Sequence, residues 1–194
     1  MDVAALMLTG GTSRRMGQDK ATLASPGSAP FPTTWAIRTA GMLGAVAAPV
    51  IELGPGHGGG EHLPDETVGA GPLAALAGGA RVLAERGWRG PVLVVATDLP
   101  RLTSGLLGWL AAHPSGTSVV PTAHGRDQPL CARYRSEDLA RAAGLVACGQ
   151  RSLRALLQAI DPYRAGPEEW TGPAGDPLAL DDADTPADLA RLTP

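Results

Sequence analysis

Between Thr9 and Ala21 the chain reads TGGTSRRMGQDKA, which sets Gly10, Gly11 and Gly17 among two arginines, a lysine and several hydroxyls. A polyphosphate needs that mixture. Glycines let backbone N–H groups come close to phosphate oxygens, the Arg14 and Arg15 forks match those oxygens in pairs, and Lys20 adds a point charge. In nucleotidyl transfer an acceptor attacks the α-phosphorus of a nucleoside triphosphate and pyrophosphate leaves, so cations gathered here stabilise charge as it develops. The same residues would also make a solvated basic turn, and the place of the loop in the fold separates the two. Other phosphate loops are excluded by spacing. GxxxxGK[ST] fails because Gly11 and Gly17 stand too far apart and Gln18 follows Gly17; GxGxxG fails because Gly11 follows Gly10 without a spacer.

These groups serve one ligand only if the fold gathers them. Residues 3–9 are nearly all apolar and read as a strand buried on both faces that stops at the glycine loop. Residues 34–46 have helical spacing, with Thr33 or Thr34 as cap, and 49–53 form a second strand before a glycine-dense loop at 54–60. Gly71 and Pro72 open a helix running from Leu73 to about Arg86. Residues 91–97, PVLVVAT, are a continuous β-branched strand whose carboxyl end presents Asp98. Beyond it the pattern predicts a helix at 103–112, strands at 117–121 and 129–134 across a turn at 124–127, and helices near 137–146 and 152–160. A short strand at 177–180 and a last helix from Thr185 and Pro186 to about Leu192 complete the chain. The alternation of strand and helix means an α/β fold: a mainly parallel sheet with helices on both faces and a small antiparallel addition. Ligands of such sheets sit beyond the carboxyl ends of the strands, where the Gly10 loop and Asp98 both fall.

Composition narrows the function classes. The 194 residues suit one domain, 1–194, with a sizeable core, and a hydrophobic share of 44% is ordinary for a globular protein. Sixteen basic against 19 acidic residues give a net charge of −3, which disfavours a nucleic-acid groove. Cys131 and Cys148 are too far apart for a CxxC ligand pair, the four histidines lack ligand spacing, and Cys131 lies in an apolar strand as a core residue would. A reducing compartment follows. Asp2 stands where a signal peptide would be basic, and no apolar stretch approaches the roughly 20 residues that cross a bilayer, so the expectation is a cytoplasmic protein without membrane contact.

Leu8, Gly10, Gly11, Ser13, Arg15, Met16, Gly17, Asp19, Lys20 and Ala21 fit the pattern LxGGxSxRMGxDKA. In that segment the chain resembles the molybdenum cofactor guanylyltransferases and their relatives. The resemblance continues in order through Gly71, Pro72 and Leu73, through Thr97 to Pro100, through Gln128, Pro129 and Leu130, and through Asp184 to Leu189, so it covers nearly the whole chain. It implies a Rossmann-like fold of the nucleotide-diphospho-sugar transferase type and magnesium-dependent transfer of a nucleoside monophosphate from a triphosphate. By resemblance Leu8, Thr9, Gly10 and Gly11 lie against the nucleotide, Arg15 and Lys20 hold its triphosphate, and Asp98 binds magnesium. Asp65 matches an acidic residue that the family places before the Gly71, Pro72, Leu73 segment for nucleotide binding, although an aspartate after Pro64 also suits a surface turn. Asp98 would equally cap a helix after its strand, but oxygen donors are what magnesium prefers.

The acceptor would meet Gln128, Arg151 at a helix start, and Asp182. Asp182 and Asp184 stand where relatives often carry asparagines, and either offers a second oxygen to metal or acceptor. Two departures bear on the base: relatives commonly end the second strand in a polar asparagine where this chain has Ile51, Glu52, Leu53 and Gly54, and Thr9 replaces the usual alanine. The implied reaction joins GMP from GTP to molybdopterin. Cytidylyl transfer to the same pterin, transfer to another small phosphate, and a non-enzymatic nucleotide-binding accessory protein for molybdoenzyme maturation are the alternatives. An acceptor phosphate is already ionised, so the lack of a Ser/His/Asp or paired-carboxylate site fits. The product would be passed on through transient contact with maturation proteins.

Overall fold

The computed structural model describes residues 2–9, 20–24, 33–64 and 70–192, with Lys20 and Pro186 through their backbone alone. Two neighbouring strands are the longest that are buried at every residue: β1 (Ala4–Leu8) and β4 (Val92–Ala96). They pair in parallel from Ala4 with Val92 to Leu8 with Ala96. Because side chains alternate along a strand, Ala5, Met7, Leu93 and Val95 enter one core while Ala4, Leu6, Val92 and Val94 enter the other. Each fully buried Leu or Val contributes roughly 1.5–3 kcal/mol, so these uninterrupted apolar runs hold the sheet's centre from both sides.

β2 (Val50–Leu53) lies parallel to β1, and β3 (His62–Leu63) extends that edge. On the other side β7 (Cys131–Tyr134) runs antiparallel to β4, followed by β5 (Val119–Ala123), with β6 (Arg126–Asp127) and β8 (Tyr163–Ala165) both paired to β5. The order β3-β2-β1-β4-β7-β5-β6 places the main antiparallel strand inside the sheet. The expected turn at 124–127 is tighter than its sequence suggests, because Arg126 and Asp127 already pair back onto β5.

One core lies beneath α1 (Trp35–Gly44), α3 (Ser104–Ala112) and α6 (Pro167–Ala174). The other lies beneath α2 (Pro72–Glu85), α4 (Ser136–Ala147) and α5 (Leu153–Ile160). Thr34 caps α1 by accepting from the Ile37 N–H, as its residue type predicts. The short last helix α7 (Pro186–Leu192) also lies where expected.

One expectation is corrected. Residues 177–180 form turns, not a strand: Asp176 accepts from Leu178 N through its side chain and from Ala179 N through its carbonyl, so the aspartate competes with any ladder. The segment that does form structure nearby is β8 with α6, which the pattern leaves unassigned. Pro173 and Gly172 make PEEWTGPA a poor helix by propensity; packing holds it, with Trp170 buried and its indole N–H on the Thr122 carbonyl. Gly105 of α3 lies so near that a Cβ there would collide with the Pro173 carbonyl oxygen.

Candidate functional site

Since Leu8 is paired with Ala96, the residues that follow them leave the sheet side by side, about 4.8 Å apart. The Thr97 N–H and hydroxyl both donate to the Leu8 carbonyl, at 3.2 and 3.3 Å, and Thr9 N–H donates to Leu53. Thr9, which leads into the glycine loop, and Asp98 therefore share one edge. Gly10, Gly11 and Arg15, like Asp65, lie outside the described residues. Lys20 opens a short 3₁₀ turn, Lys20–Thr22.

Asp98 is half-buried on a loop braced from three sides. Arg38 of α1 donates to the Pro100 carbonyl at 3.1 Å and the Leu102 carbonyl at 2.5 Å, Ala183 N–H donates to the Asp98 carbonyl, and Arg101 pairs with Asp176 at 2.6 Å. Arg38 is thus spent on neutral carbonyls, and burial lowers its pKa. Its role is to hold the Asp98 loop. Arg38→Leu is expected to lower turnover about tenfold, with partial recovery in Arg38→Lys; unchanged turnover would limit Arg38 to folding.

A cleft of about 550 Å³ opens beyond the strand ends and is lined by Asp98, Gln128 and Asp182 together. Among the described residues no three His, Cys, Asp or Glu side chains gather to hold a metal alone. Magnesium fits this setting, because it is commonly held by one or two carboxylates and completed by substrate phosphates. Arg151 is not on that wall; its carbonyl oxygen would stand 3.1 Å from a Cβ on Gly71. Gly71 takes φ 88° there and begins α2 with Pro72 in the first turn, so a side chain would be both crowded and strained. Leu8 and Leu73 are buried in the core. Cys131 is core, as expected, and burial pushes its thiol up to about 12.

Two polar groups escape the sequence reading. Glu52 is 2% exposed, and its carboxylate accepts from the Thr9 hydroxyl at 2.5 Å and from the N–H groups of Gly56, His57 and Gly58 at 2.8, 2.8 and 2.7 Å. Burial alone would raise its pKa, but the four hydrogen bonds together outweigh that and hold it below the ordinary value. Thr9 and Glu52, the second within the Ile51 to Gly54 stretch that departs from the family pattern, are therefore one bonded pair across β1 and β2, and they fix the loop after β2. A glutamate inside an apolar strand, facing a threonine at the next strand's end, was the available signal. The second group is Asp181, buried on the cleft wall between His124 and Arg191, whereas Asp182 beside it is exposed.

Residues 5–164 match the family model described as MobA-like NTP transferase domain. A relative from Mycobacterium tuberculosis named "Probable molybdenum cofactor guanylyltransferase" is 40% identical over 172 residues, covering 84% of this chain and 82% of its own. Among solved structures, the molybdopterin-guanine dinucleotide biosynthesis protein A of Archaeoglobus fulgidus superposes with a TM-score of 0.76 at 18% identity, over 98% of this chain and 96% of that one. The 2-C-methyl-D-erythritol 4-phosphate cytidylyltransferase of Thermus thermophilus gives 0.64 at 22% identity, over 100% and 98%. These structures share the fold; the membership rests on the sequence. With the family model matched over residues 5–164 and 40% identity to the mycobacterial relative, the chain belongs to the MobA-like NTP transferases and is a nucleotidyltransferase.

Proposed function

We propose that this protein transfers GMP from GTP to the phosphate of a molybdopterin-type acceptor and releases pyrophosphate. The observation that carries the reading is the shared edge of Thr9 and Asp98, which opens onto a cleft also lined by Gln128 and Asp182. The name of the mycobacterial relative supports the choice of base and acceptor. In this reading the loop at Gly10 and Gly11 receives the nucleotide, Arg15 and Lys20 neutralise the phosphates that leave, and Asp65 with the α2 start supports the nucleoside.

An ionised acceptor phosphate oxygen attacks the α-phosphorus, the bond from that phosphorus to the bridging oxygen breaks, and the electron pair departs on pyrophosphate. No proton has to be removed, so positioning and charge suffice. Asp98 is the residue to hold magnesium, which when bound offsets charge on the reacting phosphates. Asp182 and Gln128 face the acceptor. One domain acting in the cytoplasm is enough for this chemistry, with the product passed to maturation proteins.

The test is pyrophosphate release from GTP, CTP, ATP and UTP, each with magnesium and molybdopterin. GTP is expected to be preferred, and GMP should appear in the product. Preference for CTP would reassign the base, and no release with any triphosphate would favour an accessory nucleotide-binding role.

A further inference from the structure

The hairpin from β5 to β6 turns on two residues, His124 and Gly125, because Ala123 already pairs with Arg126. Both have positive φ, 51° and 70°, the mark of a type I′ turn whose favoured pair is Asn-Gly. A histidine in that position is uncommon. What it gains is a bond from Nε2 to Asp181 Oδ1 at 2.8 Å. The Asp181 side chain is only 8% exposed, and its second oxygen takes Arg191 at 3.2 Å, while His124 and Arg191 themselves stay 70% and 54% exposed. Arg126 lies on the same cleft wall, with no side-chain partner among the described residues, because its acidic neighbour Asp127 is paired with Arg164 at 3.2 Å.

We propose that His124, Arg126 and Arg191 form the subsite for the acceptor's phosphate monoester, with Asp181 as the residue that positions two of them. A buried carboxylate bonded on one oxygen to an imidazole and on the other to a guanidinium holds both side chains in place before the ligand arrives, which removes an ordering cost from binding. With Nε2 bonded to Asp181, the other ring nitrogen of His124 pairs with phosphate in either protonation state, accepting from P–OH or donating as imidazolium. Three cationic or potentially cationic groups then line the same cleft as Asp98. This assignment rests on the transfer reaction proposed above.

A purely structural role would make the same contacts a staple between the hairpin and α7. His124→Asn separates the two, since asparagine suits the turn and preserves the fold. His124→Asn, Arg126→Ala and Arg191→Met are each expected to raise the KM for molybdopterin about tenfold, with kcat and the KM for GTP within about twofold and the Tm of His124→Asn unchanged. Unchanged acceptor KM, or an equal rise in the KM for GTP, would overturn the subsite. A second measurement needs no turnover: phenyl phosphate titrated into the wild type should shift the His124 ring signals saturably by NMR, and an Arg126→Ala, Arg191→Met double variant should abolish the shift. Absence of that shift would overturn the subsite even if GMP transfer were observed. A saturable shift in a protein that transfers no nucleotide would keep the subsite and discard the reaction.

Discussion

Asp98→Asn is expected to lower the rate of pyrophosphate release about 10²–10³-fold at saturating GTP, the scale of losing roughly 3–4 kcal/mol of transition-state stabilisation. Asparagine keeps the shape and one oxygen, but the neutral amide replaces the charge proposed to hold magnesium at the end of β4. The loop itself should survive, because its braces do not depend on the carboxylate: Arg38 acts on Pro100 and Leu102, and Ala183 acts on the Asp98 backbone carbonyl. The change should therefore appear in kcat with a Tm within a few degrees of wild type. Higher magnesium should recover little of the rate. A variant that kept its rate within about threefold would remove Asp98 from the chemistry and leave the cleft without its proposed metal-holding residue.

Glu52→Gln should be the most damaging single change to stability near the site, at about 2–4 kcal/mol, because a charged acceptor of four donors is replaced by an amide whose NH₂ must face backbone N–H groups. For a chain of this size that corresponds to a Tm lower by roughly 6–12 °C. The pH dependence carries a definite sign. Glu52 has a folded-state pKa below its ordinary 4.5, so its contribution is fully present above that value and is lost as pH falls through the depressed one. Urea melts from pH 7 to pH 3 should show wild type converging on Glu52→Gln in acid, with the full gap at neutral pH. A gap that stayed constant over that range would mean that Glu52 is not stabilised as a carboxylate. Thr9→Ala, which removes one donor, should cost about 1 kcal/mol.

Local pattern carried much of this fold. The apolar runs at β1 and β4 and the proline that opens α2 are readable because they arise from alternation along a strand and from backbone demands of single residues. The same logic placed Asp98 at a strand end and Cys131 in the core. It failed at 163–180, where α6 has weak helix propensity and exists through the burial of Trp170, and where the Asp176 turns displaced the expected strand. The position of β7 within the sheet was equally out of reach, since nothing local to Cys131–Tyr134 specifies pairing with β4.

Residue identity and spacing settled that the chain is an α/β protein with an acidic residue at the end of a buried strand, for those properties follow from neighbours in the chain. Tertiary structure decided which polar groups meet. Asp181 and Asp182 are alike as adjacent letters, yet one is buried between His124 and Arg191 and the other is exposed, because successive residues face different surroundings. Thr9 and Glu52, 43 residues apart, become partners only when β1 and β2 lie in register, which is set by the packing of two cores and not by either residue's own preferences.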